Sequence, residues 1–379
     1  MHLLFSGGDA GGTLTAGLAV AERLSDDFPA RSITFAGSGR QVDRSRVSAG
    51  GFGHLVLRSR RPPQRLSEVL PAWFANRAGY RTALAWIDRY HPSVMIALGG
   101  DSSLPAARAA LRRRVPLVLI EPELVAGTAT RRLAPRASVI CTAFSETRSA
   151  WQGGGEVRVT GAPVREGLVP GFKTWRQLLI LGGTEGSESI DRDVPQALCS
   201  VESRLTMWKI VHQTVPGRVA TVRQLYDSLG LEAHVVDETA DLPQIMADSE
   251  LAIARAQGVT LAELAVAGVP AILLPAPSEG ECERLIARRF ADQGGCVVVD
   301  ERESGSSVTQ QLAAHLGRLL GDLARRLAMA QAMSRLARPE ATAEVAAVVA
   351  RVAFARRRPV VLRRRPQRDV EPLMVATLS

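Results

Sequence analysis

Three glycine turns, at Gly7–Gly8, Gly99–Gly100 and Gly182–Gly183, each end a short apolar run and precede a helical pattern. Glycine lets the chain turn sharply at such a point and lets a ligand approach the main chain. The helix that follows offers unpaired N–H groups and a partial positive charge, which together suit a phosphate. The first turn, "GGDAGG", places an acid, Asp9, between its glycines and Thr13 directly after them. It matches neither the dinucleotide fingerprint nor the Walker loop. The chemistry indicated is therefore the holding of an anion at strand ends.

Such turns need parallel strands behind them. "HLLFSGG", "SITFAG", "HLVLR", "VMIALGG", "PLVLIEP", "SVICTAF" and "EVRVTGAPVR" read as strands, with helical patterns such as "LTAGLAVAERLSDDF" and "SSLPAARAALRRR" between them. The rhythm restarts at "RQLLILGGTEGSESIDRDVPQAL" and runs on through "WKIVHQT", "EAHVVDE", "LAIARAQGVTLAELAVAG", "PAILLP" and "CVVVDE". Alternating strands and helices mean a parallel sheet covered on both faces. The expectation is an α/β protein of two Rossmann-like doubly wound domains, residues 1–167 and 168–340, joined near 166–175. A helix over 341–356 that packs back on the first domain and a basic, disordered tail over 357–379 are expected to follow. Two such domains imply a nucleotide between them, at the carboxyl ends of the strands.

The 379-residue chain carries a formal charge of +9, almost all of its cations being arginine: Lys173 and Lys209 are the only lysines. This fits either the codon bias of a GC-rich genome or attraction to anions. Cys141, Cys199, Cys282 and Cys296 form no CxxC pair, so neither a zinc site nor a disulfide framework is indicated. With no signal-peptide pattern and no apolar run of about 18 residues, a cytoplasmic protein is expected. "LPAWFANRAGYRTALAW" sets Trp73, Phe74, Tyr80 and Trp86 beside Arg77 and Arg81, and "ARAALRRR" adds Arg112–Arg114. Aromatics with arginines suit a helix lying on an anionic membrane surface. Nucleic acid is not an expected partner, because the tail clusters Arg356–Arg358 and Arg363–Arg365 lack interleaved aromatics.

The order of segments resembles the MurG family of glycosyltransferases over residues 2–350. "GGDAGGTLTAGLAVA" is similar to the family's GGTGGHxxPxLAvA, and "GGDSSLP" to its GGYxSxP. "IEPELVAGTATRRLA", "VTGAPVR", "LGGTEGS", "VHQT" and "ARAQGVTLAELAVAGVPAILLP" follow in the family's order. The resemblance implies the GT-B architecture, two Rossmann-like domains with a nucleotide-sugar cleft between them. It also implies transfer of N-acetylglucosamine, with inversion, from its UDP donor to a lipid-linked muramyl-pentapeptide at the cytoplasmic face of the membrane. No cofactor is implied, since helix termini and arginines can neutralise the departing diphosphate. Two other readings of the same residues are a relict that binds UDP or lipid without transfer, and a glycosyltransferase or 2-epimerase using another nucleotide sugar.

Carried over residue by residue, the resemblance makes Gly11, Gly12, Glu123, Arg165, Thr184, Thr239, Gly258, Thr260, Glu263 and Glu283 the donor-binding positions. Glu263 is the ribose reader, because a carboxylate can accept from two hydroxyls; its plain alternative is a solvated helix residue. Thr184 could equally be a helix cap. His212 reads as a buried strand-end histidine. The family's loop histidine, its favoured base, is Thr13 here, and a threonine hydroxyl takes no proton at neutral pH. The motif asparagine is Glu123, the tyrosine of GGY is Asp101, and the glutamines that read the sugar are Cys282 and Glu283. The acids left to act as base are Asp9, Asp101 and Glu123, with Asp9 first because it lies inside the glycine loop.

Overall fold

A computed structural model describes the chain except for residues 9–10, 61–64, 149–150, 152–153, 171–175, 184–186, 238–240, 278–280, 301, 303–306 and 356–379. The first half runs β1 (Leu3–Ser6), α1 (Gly11–Leu24), β2 (Ile33–Gly37), α2 (Gln41–Ala49), β3 (Gly53–Val56), α3 (Leu66–Tyr90) and β4 (Val94–Ala97). It continues with α4 (Ser103–Arg112), β5 (Leu117–Glu121), α5 (Thr128–Leu133), β6 (Val139–Thr142), α6 (Ser145–Arg148) and β7 (Glu156–Val159). The second half runs β8 (Arg176–Leu181), α7 (Glu188–Cys199), β9 (Trp208–Gln213), α8 (Val219–Ser228), β10 (His234–Val236), α9 (Leu242–Asp248) and β11 (Leu251–Ala254). Then come α10 (Gly258–Val266), β12 (Ala271–Leu273), α11 (Glu281–Asp292), β13 (Cys296–Val298), α12 (Val308–Gly321), α13 (Leu323–Leu336) and α14 (Ala341–Ala355).

The central strands are buried along their whole length because helices cover both faces, which is why they read as unbroken apolar runs. All pairings are parallel, in the orders β3-β2-β1-β4-β5-β6-β7 and β10-β9-β8-β11-β12-β13. Strand order reverses between β1 and β4 in one sheet and between β8 and β11 in the other. At such switch points the connections leave toward opposite faces and open a crevice at the strands' carboxyl ends. The glycine turns follow β1, β4 and β8. At Gly7 φ is +107°, and a Cβ there would come within 2.1 Å of the Gly99 carbonyl oxygen, so the β1 and β4 turns can sit side by side only with glycine at position 7.

The chain returns to the first sheet at its end. Val345, Val348 and Val349 of α14 share a core with Leu18, Val20 and Leu24 of α1, and Phe354 stacks on Phe28 at 5.4 Å. Thr342 fastens the crossing, its hydroxyl donating to the Val164 carbonyl and accepting from the Val164 N–H at 2.8 and 2.9 Å.

Candidate functional site

The two switch points face each other across a narrow cleft. Gly12 and Thr15 of α1 line its first-domain wall, and Gly183, Gln257, Val259, Thr260 and Glu263 line the opposite one. Leu181, Leu242 and Met246 form an apolar end. Contact across the cleft is close: Ala16, Ala162 and Val259 share a small core.

Glu263 is not a solvated helix residue. It is 2% exposed, and burial pushes its carboxyl above the usual glutamate range, with Arg165 and then Arg46 drawing it back. Arg165 Nε stands 3.1 Å from Oε1, yet that oxygen receives no aligned hydrogen bond. A carboxylate so placed retains the capacity to accept from a hydroxyl in the cleft.

The β5–α5 loop reaches across to the second domain. Glu121 shapes it from inside: its buried carboxylate accepts from the N–H groups of Glu123 and Gly127 at 3.3 and 3.2 Å, and burial raises its pKa. Thr147 donates to the Glu123 and Leu124 carbonyls. Glu123 then presents its carboxylate to the Gly258 N–H, at 3.1 and 3.2 Å from its two oxygens. The Val125 N–H donates to Cys282 Sγ at 3.4 Å, and Arg289 of α11 pairs with Glu146 of α6.

Glu283 is buried, and its carboxylate accepts from the Ala276 N–H at 2.8 Å, which fastens the segment before α11. Asp9, Thr184 and Thr239 lie outside the described residues, as does the tail. Thr13 lies in the first turn of α1, half-buried, and Gly11 opens that helix. Asp101 and Glu123 fall on different surfaces, Asp101 in an outer groove of the first domain and Glu123 at the seam between domains.

Sequence reasoning read His212 as a buried strand-end residue, as the structure has it, but missed the second-domain scaffold around it. Asp191 of α7 is 2% exposed and accepts from Thr214 Oγ1 at 3.0 Å and from His212 Nε2–H at 3.2 Å, with Arg218 Nε at 2.6 Å. His212 is fully buried on β9, and its Nδ1 bonds the Tyr226 hydroxyl at 3.0 Å. Burial pushes that phenol well above its ordinary pKa. Arg255, the arginine of "ARAQG", donates to Ser187, Ser189 and the Leu274 carbonyl and so secures the entry to α7. Its place in the motif "ARAQG" was the available signal, as "VHQT" was for Gln213, which lines the cleft.

On the outer face of the first domain, α3 exposes Leu70, Trp73 and Phe74, with Arg77 lying 5.3 Å from the Trp73 ring centroid. Tyr80 and Trp86, grouped with them in the sequence, instead pack partly buried against the core, because they fall on the helix face that meets the sheet. Arg113 is held by Asp88 at 2.6 and 2.7 Å. Among the described residues no helix is long and apolar enough to cross a membrane.

Residues 177–345 match the glycosyltransferase family 28 C-terminal domain. The chain is 31% identical over 364 residues to the UDP-N-acetylglucosamine–N-acetylmuramyl-(pentapeptide) pyrophosphoryl-undecaprenol N-acetylglucosamine transferase of Stutzerimonas stutzeri, covering 93% of this chain and 99% of the relative. Identity to the Pseudomonas fluorescens enzyme of the same name is 32%, with the same coverage. The fold is similar to the crystal structure of Acinetobacter baumannii MurG, with a TM-score of 0.69, 21% identity, and 92% and 99% of the two chains covered.

Proposed function

The chain belongs to the MurG family of glycosyltransferases, and from that premise we propose how its cleft carries out the family's reaction. The protein transfers N-acetylglucosamine from UDP-N-acetylglucosamine to lipid-linked N-acetylmuramyl-pentapeptide in peptidoglycan precursor synthesis. An acceptor hydroxyl attacks the anomeric carbon, UDP departs and the configuration inverts. The step needs a base at the attacking hydroxyl and neutralisation of the leaving diphosphate.

The observation that carries the assignment is Glu263, buried in the cleft wall with an oxygen lacking an aligned hydrogen bond. Uridine's ribose hydroxyls donate to it, and the base lies toward Leu242 and Met246. The diphosphate lies among Gly11, Gly12, Gly183, Gly258 and Thr260, with Arg165 beside it and Thr184 and Thr239 as further donors. The cleft's lining by Gly12, Gly183 and the first turn of α10 supports this placement.

UDP should therefore raise the melting temperature of the protein, since a ligand of the native state stabilises it by mass action. Glu263→Ala should weaken UDP binding by about 1–3 kcal/mol, the scale of hydrogen bonds to a charged group. No shift in melting temperature up to millimolar UDP would refute the nucleotide site. The raised carboxyl pKa adds a pH signature. A group whose folded pKa is raised contributes stability below its unfolded pKa, about 4.3, and loses it as pH climbs through the folded value. Wild type without ligand should thus lose stability relative to Glu263→Gln across that window. A constant difference in melting temperature from pH 4 to 8 would contradict this.

The exposed aromatics of α3 and the arginines around them support docking of the first domain on the anionic cytoplasmic face of the membrane. Each arginine near the surface should contribute about 1 kcal/mol, weakened by salt. Co-sedimentation should show binding to anionic vesicles that falls between low and high salt. Equal binding to neutral vesicles would remove the electrostatic account.

A further inference from the structure

Helix α10 has no side-chain cap of its own. Its N-cap residue Gln257 is extended, at φ −86° and ψ 141°, and makes no side-chain capping bond. The cap comes from the other domain, as the Glu123 carboxylate accepting from the Gly258 N–H. The approach is close enough that a Cβ at residue 258 would lie 2.1 Å from the Pro122 carbonyl oxygen. The Glu123 backbone is pinned through Glu121 and Thr147, so the carboxylate is delivered by a shaped loop. Cys282, at the start of α11, adjoins the same loop through Val125. On the second-domain wall, the first turn of α10 and Glu263 are the two features a nucleoside diphosphate needs. First-domain side chains engage both, Glu123 at the amide and Arg165 at Glu263.

We propose that Glu123 is an interdomain latch that competes with the donor's phosphate for the N-terminus of α10. The proposal rests on the nucleotide reading above and adds a competitor to it. A carboxylate and a phosphate cannot both occupy one helix terminus, because they claim the same N–H and repel each other. Donor entry therefore displaces Glu123, and the apparent affinity for donor is reduced by the fraction of molecules in which the latch is closed.

The test compares UDP with uridine, which lacks the phosphates, by calorimetric titration of wild type, Glu123→Gln and Glu146→Gln. Glu123→Gln keeps the shape and removes the charge. It should bind UDP about three- to thirtyfold more tightly, the range expected for one carboxylate at a helix N-terminus, and leave uridine binding within about twofold. Glu146→Gln loosens the Arg289 pair at the same domain boundary without freeing α10, and should leave UDP affinity unchanged. Unchanged or weaker UDP binding by Glu123→Gln would overturn the latch, as would an equal gain for uridine or for Glu146→Gln. Absence of UDP binding in all three proteins would overturn the latch together with the nucleotide site. That result is distinct from the others, in which UDP still binds.

Discussion

Asp9→Asn is expected to lower turnover by about 10²–10⁴-fold with little change in UDP affinity, the range a positioned general base contributes. Thr13, where the family carries its loop histidine, cannot take the proton of the acceptor hydroxyl at neutral pH. The acid nearest to it in sequence is Asp9, inside "GGDAGG". The same glycine-rich segment brings Gly12 to the cleft wall, against Gln257 and Val259. The other candidates have their own surroundings. Asp101 lines the outer groove with Trp73 and Arg108, and Glu123 is engaged at the Gly258 amide. Glu121, a further acid of the same loop, is buried with its oxygens on backbone amides. Thr13→Ala should then be mild, and Thr13→His should raise transfer. The measurement is transfer of labelled N-acetylglucosamine to the lipid-linked muramyl-peptide acceptor. An Asp9→Asn protein as fast as wild type would pass the role to Asp101 or Glu123. No transfer by wild type, with transfer by Thr13→His, would mean an intact scaffold that lacks its own base.

Asp191→Ala should destabilise the second domain by about 3–5 kcal/mol, because it leaves Arg218 beside an emptied site and strips partners from His212 and Thr214. At roughly 2–4 °C per kcal/mol for a domain of this size, the melting temperature should fall by on the order of 10 °C. The site is sensitive because the carboxylate is 2% exposed and His212, Thr214 and Arg218 converge on it. The network also adjoins the cleft: a Cβ at Gly182 would lie 2.8 Å from the Gln213 carbonyl oxygen and 3.3 Å from Asp191 Oδ1. UDP affinity should therefore fall as well in the fraction that remains folded. A loss of melting temperature below about 2 °C would show that the cluster is not a structural keystone.

Much of the fold could be read from local pattern. Parallel strands buried on both faces must be short apolar runs, and the turns after them need glycine, so "LLFSGG" and "LLILGG" announced β1 and β8 together with the loops that follow them. The match of "ARAQGVTLAELAVAG" to its family motif pointed to Glu263 as a cleft residue, and the structure puts that residue in the cleft wall. Local pattern did less well on α3. It grouped four aromatics, whereas packing against the sheet left Trp73 and Phe74 exposed and partly covered Tyr80 and Trp86. Which side of a helix is covered depends on the neighbour it meets, and the helix's own sequence does not state that neighbour.

By itself, then, the sequence determined the two doubly wound domains, the glycine turns at their switch points and the family, because each of these is written within a few consecutive residues or in the order of motifs. Only the tertiary structure decided that Glu123 caps α10, that Arg165 meets Glu263, that Glu283 turns to Ala276, and that Asp191 gathers His212, Thr214 and Arg218. Glu123 and Gly258 are 135 residues apart in the chain. Their contact exists because two separately folded sheets are held at one relative position by packing across the cleft and by the return of α14. A side chain's partner across such a boundary is a property of that placement, and no periodicity or spacing along the chain encodes it.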